Sequence, residues 1–510
     1  MTLTESNPIP SFEENLKFFQ AFPIDLQRIY PRSFCSRNGL FYGMIRTGAG
    51  KKLAVIGEKE ALLKDPFEGK IFNQASSLKL CDLSRGNTLS LMALFPFTRP
   101  VPVLKEAMTI GTGDRLGLAT PGHIRSVRKF QVRPVFAQQS VRENGQTGRN
   151  FNEVIADAAW SVFQENYREG YGADGDHLKS MEEINQALDS GVSMITLDLS
   201  EKLSLEAYLL PGEAIGRRFD EEIERGDAEV FLHLYLDKEF SFRGPRGDLS
   251  IRFSEEEVKR NLLLFHRAID FSEEVYEFLS RRSGRKPLID FEISIDEIPF
   301  PTSPATHLFL MIALRHRGVR IDSLAPRFIG EFQKGIDYRG EIPAFREQFY
   351  QHVLIAQHYG NYKLSIHSGS DKFTVFPHIG EITRGKIHLK TAGTSWLEAV
   401  RLIAQTNPSL YREMHLQALS AFGEASKHYQ VTTDLSSIPQ IETLSDPELP
   451  DLLNLEGARQ LLHITYGFLL RSKLREKIFA TLTQYEEDYA TLLETHIVKH
   501  LDSLRARRRQ

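Results

Sequence analysis

Two short stretches far apart in the chain carry the residue types of a divalent-metal site. They are Gly-Ala-Asp-Gly-Asp-His-Leu-Lys at 172–179 and Ile-His-Ser-Gly-Ser-Asp-Lys at 366–372. In the first, Asp176 directly precedes His177. In the second, His367 ends an apolar run, Tyr362 to Ile366, and opens a small turn bearing hydroxyl groups. An imidazole can hold a divalent ion while the adjacent carboxylate stays free as a base, which points to carbohydrate chemistry. Cys35 and Cys81 are the only cysteines and form no CxxC pair. A thiolate zinc site is therefore excluded, and any metal must use imidazole, carboxylate or amide ligands.

Residues so far apart need a scaffold that collects them. From about residue 110, short apolar or β-branched runs alternate with helical stretches. Eight runs read as strands: Arg115–Ala119, Pro134–Ala137, Gly170–Gly175, Ser193–Leu197, Leu288–Ile293, Arg320–Leu324, Tyr362–Ile366 and Lys386–Leu389. The clearest helix opens at Ser254, with Glu257 completing a capping box, and has Gly284 as its stop. Eight such units predict an α/β fold, a (β/α)8 barrel, with its chemistry at the C-terminal strand ends. Residues 1–105 read as an N-terminal α/β extension, 106–405 as the barrel and 406–510 as a helical region. The stretch 199–287 is too long for one crossover and predicts an insertion after the fourth strand, in which Glu229–Asp237 alternates like a strand. In the C-terminal region Leu461, Leu462, Tyr466, Leu469 and Leu470 form one apolar helical face that packs on the body.

Bulk properties narrow the function. The 510 residues are 25% charged with a net charge of −4, which gives no reason to expect nucleic acid as a partner. The basic end Arg505–Arg509 reads as a solvated helix terminus. No run approaches the ~20 apolar residues of a membrane helix. The N-terminus has no signal-peptide pattern, so the protein is expected to be cytoplasmic. Gly48-Ala-Gly50-Lys51 lacks the phosphate-loop spacing and reads as a hairpin turn after which Leu53–Ile56 and Glu58–Leu63 form strand and helix. Gly111, Gly113 and Gly117 lack the dinucleotide spacing.

Residues following the predicted strands are unlike loop filler. They include His123 and Arg125, Gln138 to Ser140 and Arg142, Asp176 with His177 and Lys179, Asp198, Glu292, Arg327 with Glu331 and Gln333, His367 to Lys372, and Lys390 with Thr391. Alternation puts Glu292 on the same side as Asp290 and Ser294, toward the barrel interior.

At these residues the chain resembles the bacterial tagaturonate epimerase family. The resemblance rests on Gly170–Lys179, Ala119–His123, Ala137–Ser140, Leu324–Phe328 and Ile366–Phe373 and extends over most of the chain. It implies a divalent cation (Zn, Mn, Ni or Co) and a small ketohexuronate as substrate, D-tagaturonate and D-fructuronate being interconverted. It also implies Asp176 as proton acceptor, Glu292 as proton donor, and His177, His367 and Gln333 as metal ligands, with Glu331 a rival for the third place. The Asp-His pair and the His-Ser-Gly-Ser turn are also similar to metal-dependent fructose-bisphosphate aldolases. Those use the turn for a phosphate, which the carboxylate of Asp371 would repel here. The two uronates differ at a carbon β to the ketone, so enolisation alone cannot invert it. Polarisation of the ketone would instead allow a retro-aldol cleavage and re-addition. His123, Arg125, Gln138 and Lys372 are the expected substrate contacts, with Lys372 and Arg125 for the carboxylate. Two other readings stay open: an aldolase or sugar isomerase on the same scaffold, and a sugar-acid binding protein without catalysis.

Overall fold

Period-two alternation in the central part of the chain folds into a closed barrel with a polar interior. The computed structural model describes residues 18–73, 77–283, 288–429 and 431–509. Its barrel strands are β1 (Met108–Thr112), β2 (Arg133–Ser140), β3 (Gly172–Leu178), β4 (Met194–Asp198), β5 (Asp290–Ile295), β6 (Ser323–Pro326), β7 (Lys363–Ile366) and β8 (Ile387–Thr391). They pair in parallel in chain order, and β8 closes on β1. Along β7 and β8 the apolar Leu364, Ile366, Ile387 and Leu389 alternate with Lys363, Ser365, His388 and Lys390, all buried. Lys390 on β8 reaches carboxylates on β3 and β5, so this polar set fills the interior. Barrel interiors ordinarily hold branched apolar side chains. Here the buried polar groups must find one another, because an unpaired one costs about 1–3 kcal/mol. Thr109 accepts from Lys363 Nζ at 2.9 Å and lies 2.8 Å from His388 Nδ1. Asp290 accepts from the backbone N–H groups of Val103 and Leu104.

The first strand differs from expectation. Residues 115–119 form a turn in which the Asp114 carboxylate accepts from the amides of Leu116, Leu118, Ala119 and Thr120 and leads into helix Thr120–Val127. The strand is Met108–Thr112, whose Gly111 looks like a breaker but makes room for a neighbour. A Cβ there would lie 2.2 Å from Gln138 Oε1. β3 runs to Leu178, so Asp176 and His177 lie within the strand end.

The insertion after β4 holds short helices, a hairpin (Phe240–Phe242 with Leu249–Ile251) and the long helix Glu255–Ser283. Its Ser254–Glu257 capping box forms as expected, while Gly284 lies outside the described residues. Glu229–Asp237 is not a strand: helix Arg225–Tyr235 takes its place, with Phe231 and Tyr235 buried one turn apart. Beyond the barrel, Leu461, Leu462, Tyr466, Leu469 and Leu470 pack in one core with Trp396, Leu397 and Val400. The basic end is not a free terminus. The amide of Arg509 donates to Lys129 O at 2.9 Å, Gln131 N donates to Arg507 O at 2.7 Å, and Arg508 pairs with Asp502.

The described residues up to Pro100, together with Asn152–Tyr171, make a separate compact unit. Its antiparallel sheet has the order Leu26–Arg37, Leu40–Thr47, Gly50–Gly57, Ser77–Cys81, Lys70–Asn73. Gly50, at φ 98°, turns the expected hairpin, and helix Lys59–Lys64 follows the third strand. Ala159, Trp160 and Phe163 join Tyr42, Leu53, Val55 and Phe95 in its core. No helix among the described residues is long and apolar enough to cross a membrane.

Candidate active site

At the C-terminal end of the barrel one ammonium ion holds three carboxylates. Asp174 and Asp176 stand two apart on β3 and face the same way, as the strand period requires. Lys390 Nζ, from β8, lies 2.8 Å from Asp174, 2.7 Å from Asp176 and 2.9 Å from Glu292, and donates to Thr196 Oγ1 at 2.6 Å. All five side chains are buried. Burial opposes ionisation of Asp176, but Lys390, His177 and His367 outweigh it and hold the carboxyl below its ordinary range. Glu292 is held well below its ordinary value in the same way, with burial opposed chiefly by Lys390 and His367. Asp174 is pushed up to about 6, because burial and the two neighbouring carboxylates outweigh the lysine. The Lys390 ammonium is correspondingly stabilised: burial disfavours it, yet its three acidic neighbours raise its pKa well above normal.

Beside this cluster stand the two expected imidazoles. The rings of His177 and His367 lie 4.9 Å apart, and their ligand atoms fall with a carboxylate oxygen of Asp296 within 4.8 Å of one another. His177 Nδ1 sits 3.0 Å from Asp198 and His367 Nε2 sits 2.8 Å from Glu292. A carboxylate behind each ring orients it and leaves the other nitrogen for an ion. His367 Nδ1 is buried without a well-aligned hydrogen bond, 3.2 Å from Asp296 Oδ1. Five acidic side chains (Asp174, Asp176, Asp198, Glu292, Asp296) outnumber the lysines that touch them, Lys390 on three of them and Lys179 at 3.7 Å from Asp198, an excess that a divalent cation would offset. The donor set and the charge both fit such an ion. Without it, the acids hold protons on the rings: burial disfavours the His177 imidazolium, but Asp176, Asp198 and Asp296 raise its pKa to about 10. Three non-glycine residues here adopt left-handed backbone, His177 (φ 54°), Ser368 (49°) and Asp371 (61°). Such conformations cost of order 1 kcal/mol each and persist where the surroundings over-determine them, often at working sites.

A cavity of about 390 Å³ opens on this cluster, lined by Asp176, His177, His367, Lys390, Asp296 and Gln138 among others. Gln138 Nε2 lies 3.4 Å from Asp176 Oδ2. Other expected site residues are placed differently. Gln333 lines the cavity, but its amide oxygen accepts from Thr432 and from Gln460 Nε2 at 2.8 Å, and its Nε2 donates to Glu331 at 2.6 Å. The carboxylate beside the two imidazoles is that of Asp296, not Glu331. Glu292 lies behind Lys390 and His367 and is not among the cavity-lining residues. His123 is buried against Ser395, and Arg125 pairs with Glu487 on the helical side; neither lines the cavity. Lys372 is fully buried and donates to the backbone carbonyls of Gln333, Ile336 and Ser370, tying two loops together. Asp371 turns away to Arg459 and His496, at 2.6 Å each, so its charge is not presented to the cavity.

Sequence reasoning gave no role to Asp296, Asp174 or Lys334, and left Lys390 only as a strand-end residue. Asp296 shares the parity of Glu292 and Ser294, so extending the predicted strand Leu288–Ile293 by three residues would have reached it. Lys334 lines the cavity and donates to Ser368 Oγ at 2.6 Å, next to His367.

A closed parallel barrel with paired acids and imidazoles at its C-terminal end is the arrangement of a (β/α)8 enzyme. A family model for tagaturonate epimerase matches residues 30–504. The chain belongs to the tagaturonate epimerase family. It is 40% identical over 479 residues to the tagaturonate/fructuronate epimerase of Thermotoga maritima, covering 93% of this chain and 96% of that protein. It is also similar to the fructuronate-tagaturonate epimerase of Cohnella laeviribosi. The glycerol-complexed crystal structure of that enzyme matches at 45% identity and a TM-score of 0.90, covering 97% of this chain and 99% of that one. Its native crystal structure matches at 46% identity and a TM-score of 0.89, with the same coverage.

Proposed function

We propose that this protein is an epimerase interconverting D-tagaturonate and D-fructuronate by retro-aldol and aldol chemistry, with a divalent cation held by His177, His367 and Asp296. The observation that carries the reading is Asp176, ionised on the cavity wall beside that triad and 2.7 Å from an ammonium group. The ion, when bound, supplies Lewis-acid polarisation of the ketone. Asp176 takes the proton of the β-hydroxyl group as the bond between the α and β carbons breaks, and the electron pair passes to the ketone oxygen, giving an enediolate and an aldehyde. The aldehyde turns its other face, the bond re-forms, and the new alkoxide needs a proton. Lys390 supplies it, and the proton now on Asp176 passes across the 2.7 Å contact to restore the ammonium. The cycle then closes with no net proton change. In this scheme Glu292 does not donate directly. With Asp174 it fixes the ammonium in place, and it orients the His367 ring.

The test is incubation of the metal-loaded and chelator-treated protein with each uronate, followed by NMR. Interconversion that is lost with the metal and restored on its return supports the reading. Full activity in demonstrably metal-free protein contradicts the metal assignment.

A further inference from the structure

We propose that Lys334 is the residue that grips the substrate carboxylate, and that this grip retains the aldehyde fragment while it turns over. The inference rests on the epimerase reading above.

The cavity is bipolar. Asp176, Asp296, His177 and His367 line it together with the cations Arg115, Arg142, Arg327 and Lys334, of which Arg327 donates to the backbone carbonyl of Ile298. Those cations are not equally available. Lys390, nearest the acids, is committed to three carboxylates. Arg115 donates through Nε and Nη2 to Glu143 Oε1, at 3.0 and 2.6 Å. Arg142 has Glu297 at 3.9 Å and the Tyr429 ring at 5.2 Å. Lys334 has no ion pair among the described residues, and its hydrogen-bond partner is the neutral hydroxyl of Ser368. An ammonium ion largely withdrawn from water with no anion in contact is costly, and a carboxylate arriving beside it relieves that cost. Ser368 follows His367 directly and holds a strained left-handed turn at φ 49°. The cation is thereby fixed beside the metal-type triad rather than left to swing.

Substrate chemistry explains why such an anchor is needed. In these hexuronates the ketone is at C2, the inverted centre at C4 and the carboxylate at C6. Breaking the C3–C4 bond transfers the C4 hydroxyl proton to Asp176 and leaves the electron pair on the C1–C3 enediolate. The other fragment, C4 to C6, is a three-carbon hydroxy-aldehyde acid, tartronate semialdehyde. It has lost its covalent tie to the fragment carrying the polarised ketone and must present its opposite face before re-addition. Its carboxylate is the one charged handle it keeps. A cation holding that handle lets the aldehyde rotate about the C4–C5 bond without escaping.

The experiment compares wild type, Lys334→Met and Lys334→Arg, each metal-loaded and checked for unchanged metal content and melting temperature. Inhibition of uronate turnover by glycerate, which mimics the acid fragment, is compared with inhibition by glycerol. Free dihydroxyacetone is followed by NMR. Wild type is expected to bind glycerate more tightly than glycerol. In Lys334→Met that preference falls by about 10- to 100-fold, the scale of a charge-assisted hydrogen bond, and dihydroxyacetone leaks during turnover. Lys334→Arg keeps most of the preference. If Lys334→Met does not fold, Ser368→Ala, which frees the ammonium from its tether, should weaken the preference in the same direction. Wild type that interconverts the uronates while Lys334→Met keeps the full glycerate preference overturns this inference alone. Wild type that does not interconvert them overturns the epimerase reading and this inference with it.

Discussion

Lys390→Met should expose how heavily the barrel depends on one ammonium ion. Three carboxylate oxygens lie 2.7–2.9 Å from Lys390 Nζ, and all four side chains are buried. Breaking a buried ion pair by removing one partner costs about 3–5 kcal/mol, because the remaining charge is stranded. Here three charges are stranded, but protonation limits the damage. Asp174, already pushed up to about 6, is the first to take a proton near neutral pH. The expected loss is therefore about 3–5 kcal/mol rather than three times that figure. A double-mutant cycle isolates the cause. Asp174→Asn removes an attraction in the wild type and a repulsion in Lys390→Met, so the two changes should couple by about 1.5–3 kcal/mol. The chain has two tryptophans, and Trp396 belongs to the barrel unit while Trp160 does not. In a Trp160→Phe background, denaturant unfolding followed by Trp396 fluorescence reports the barrel unit alone. Additivity within about 0.5 kcal/mol, or a Lys390→Met variant as stable as its parent, would refute the reasoning.

Other expectations follow from the same geometry. Asp176→Asn should retain metal but lose turnover by at least ~10²-fold; loss of metal instead would make Asp176 a ligand. The acids raise the His177 pKa to about 10, so the ring is protonated at neutral pH and a metal must displace that proton. Affinity should therefore rise with pH across the neutral range, with proton release measurable by calorimetry in buffers of different ionisation enthalpy, and His177→Ala, which removes a ligand, should lose most of the binding itself. Lys372→Met strands three buried carbonyls and should lower the melting temperature while affecting acidic and neutral substrates alike; a loss confined to uronates would return Lys372 to the carboxylate.

Much of this architecture was legible in the sequence because buried parallel strands leave short apolar or β-branched runs, each ending in polar residues, between the helices. Seven of the strands stand close to the short apolar or β-branched runs that marked them, and the structure brings Asp176, His177 and His367 together. The exception, β1, carries Gly111 to admit Gln138, and a strand glycine looks like a breaker until its neighbour is known. Glu229–Asp237 misled because bulky residues four apart also satisfy a two-residue period. The cations were hardest to read, since a lysine's task depends on what its long chain reaches. Lys372 turned to backbone carbonyls and Lys390 crossed the barrel, neither of which spacing records.

Running the interconversion in D2O and reading C4 by NMR tests the central claim most directly. Retro-aldol cleavage breaks the C3–C4 bond and leaves the C4 hydrogen in place. The account predicts conversion of D-tagaturonate to D-fructuronate with no deuterium at C4, abolished in Asp176→Asn. Deuterium at C4, or wild-type conversion rates in Asp176→Asn, would contradict it.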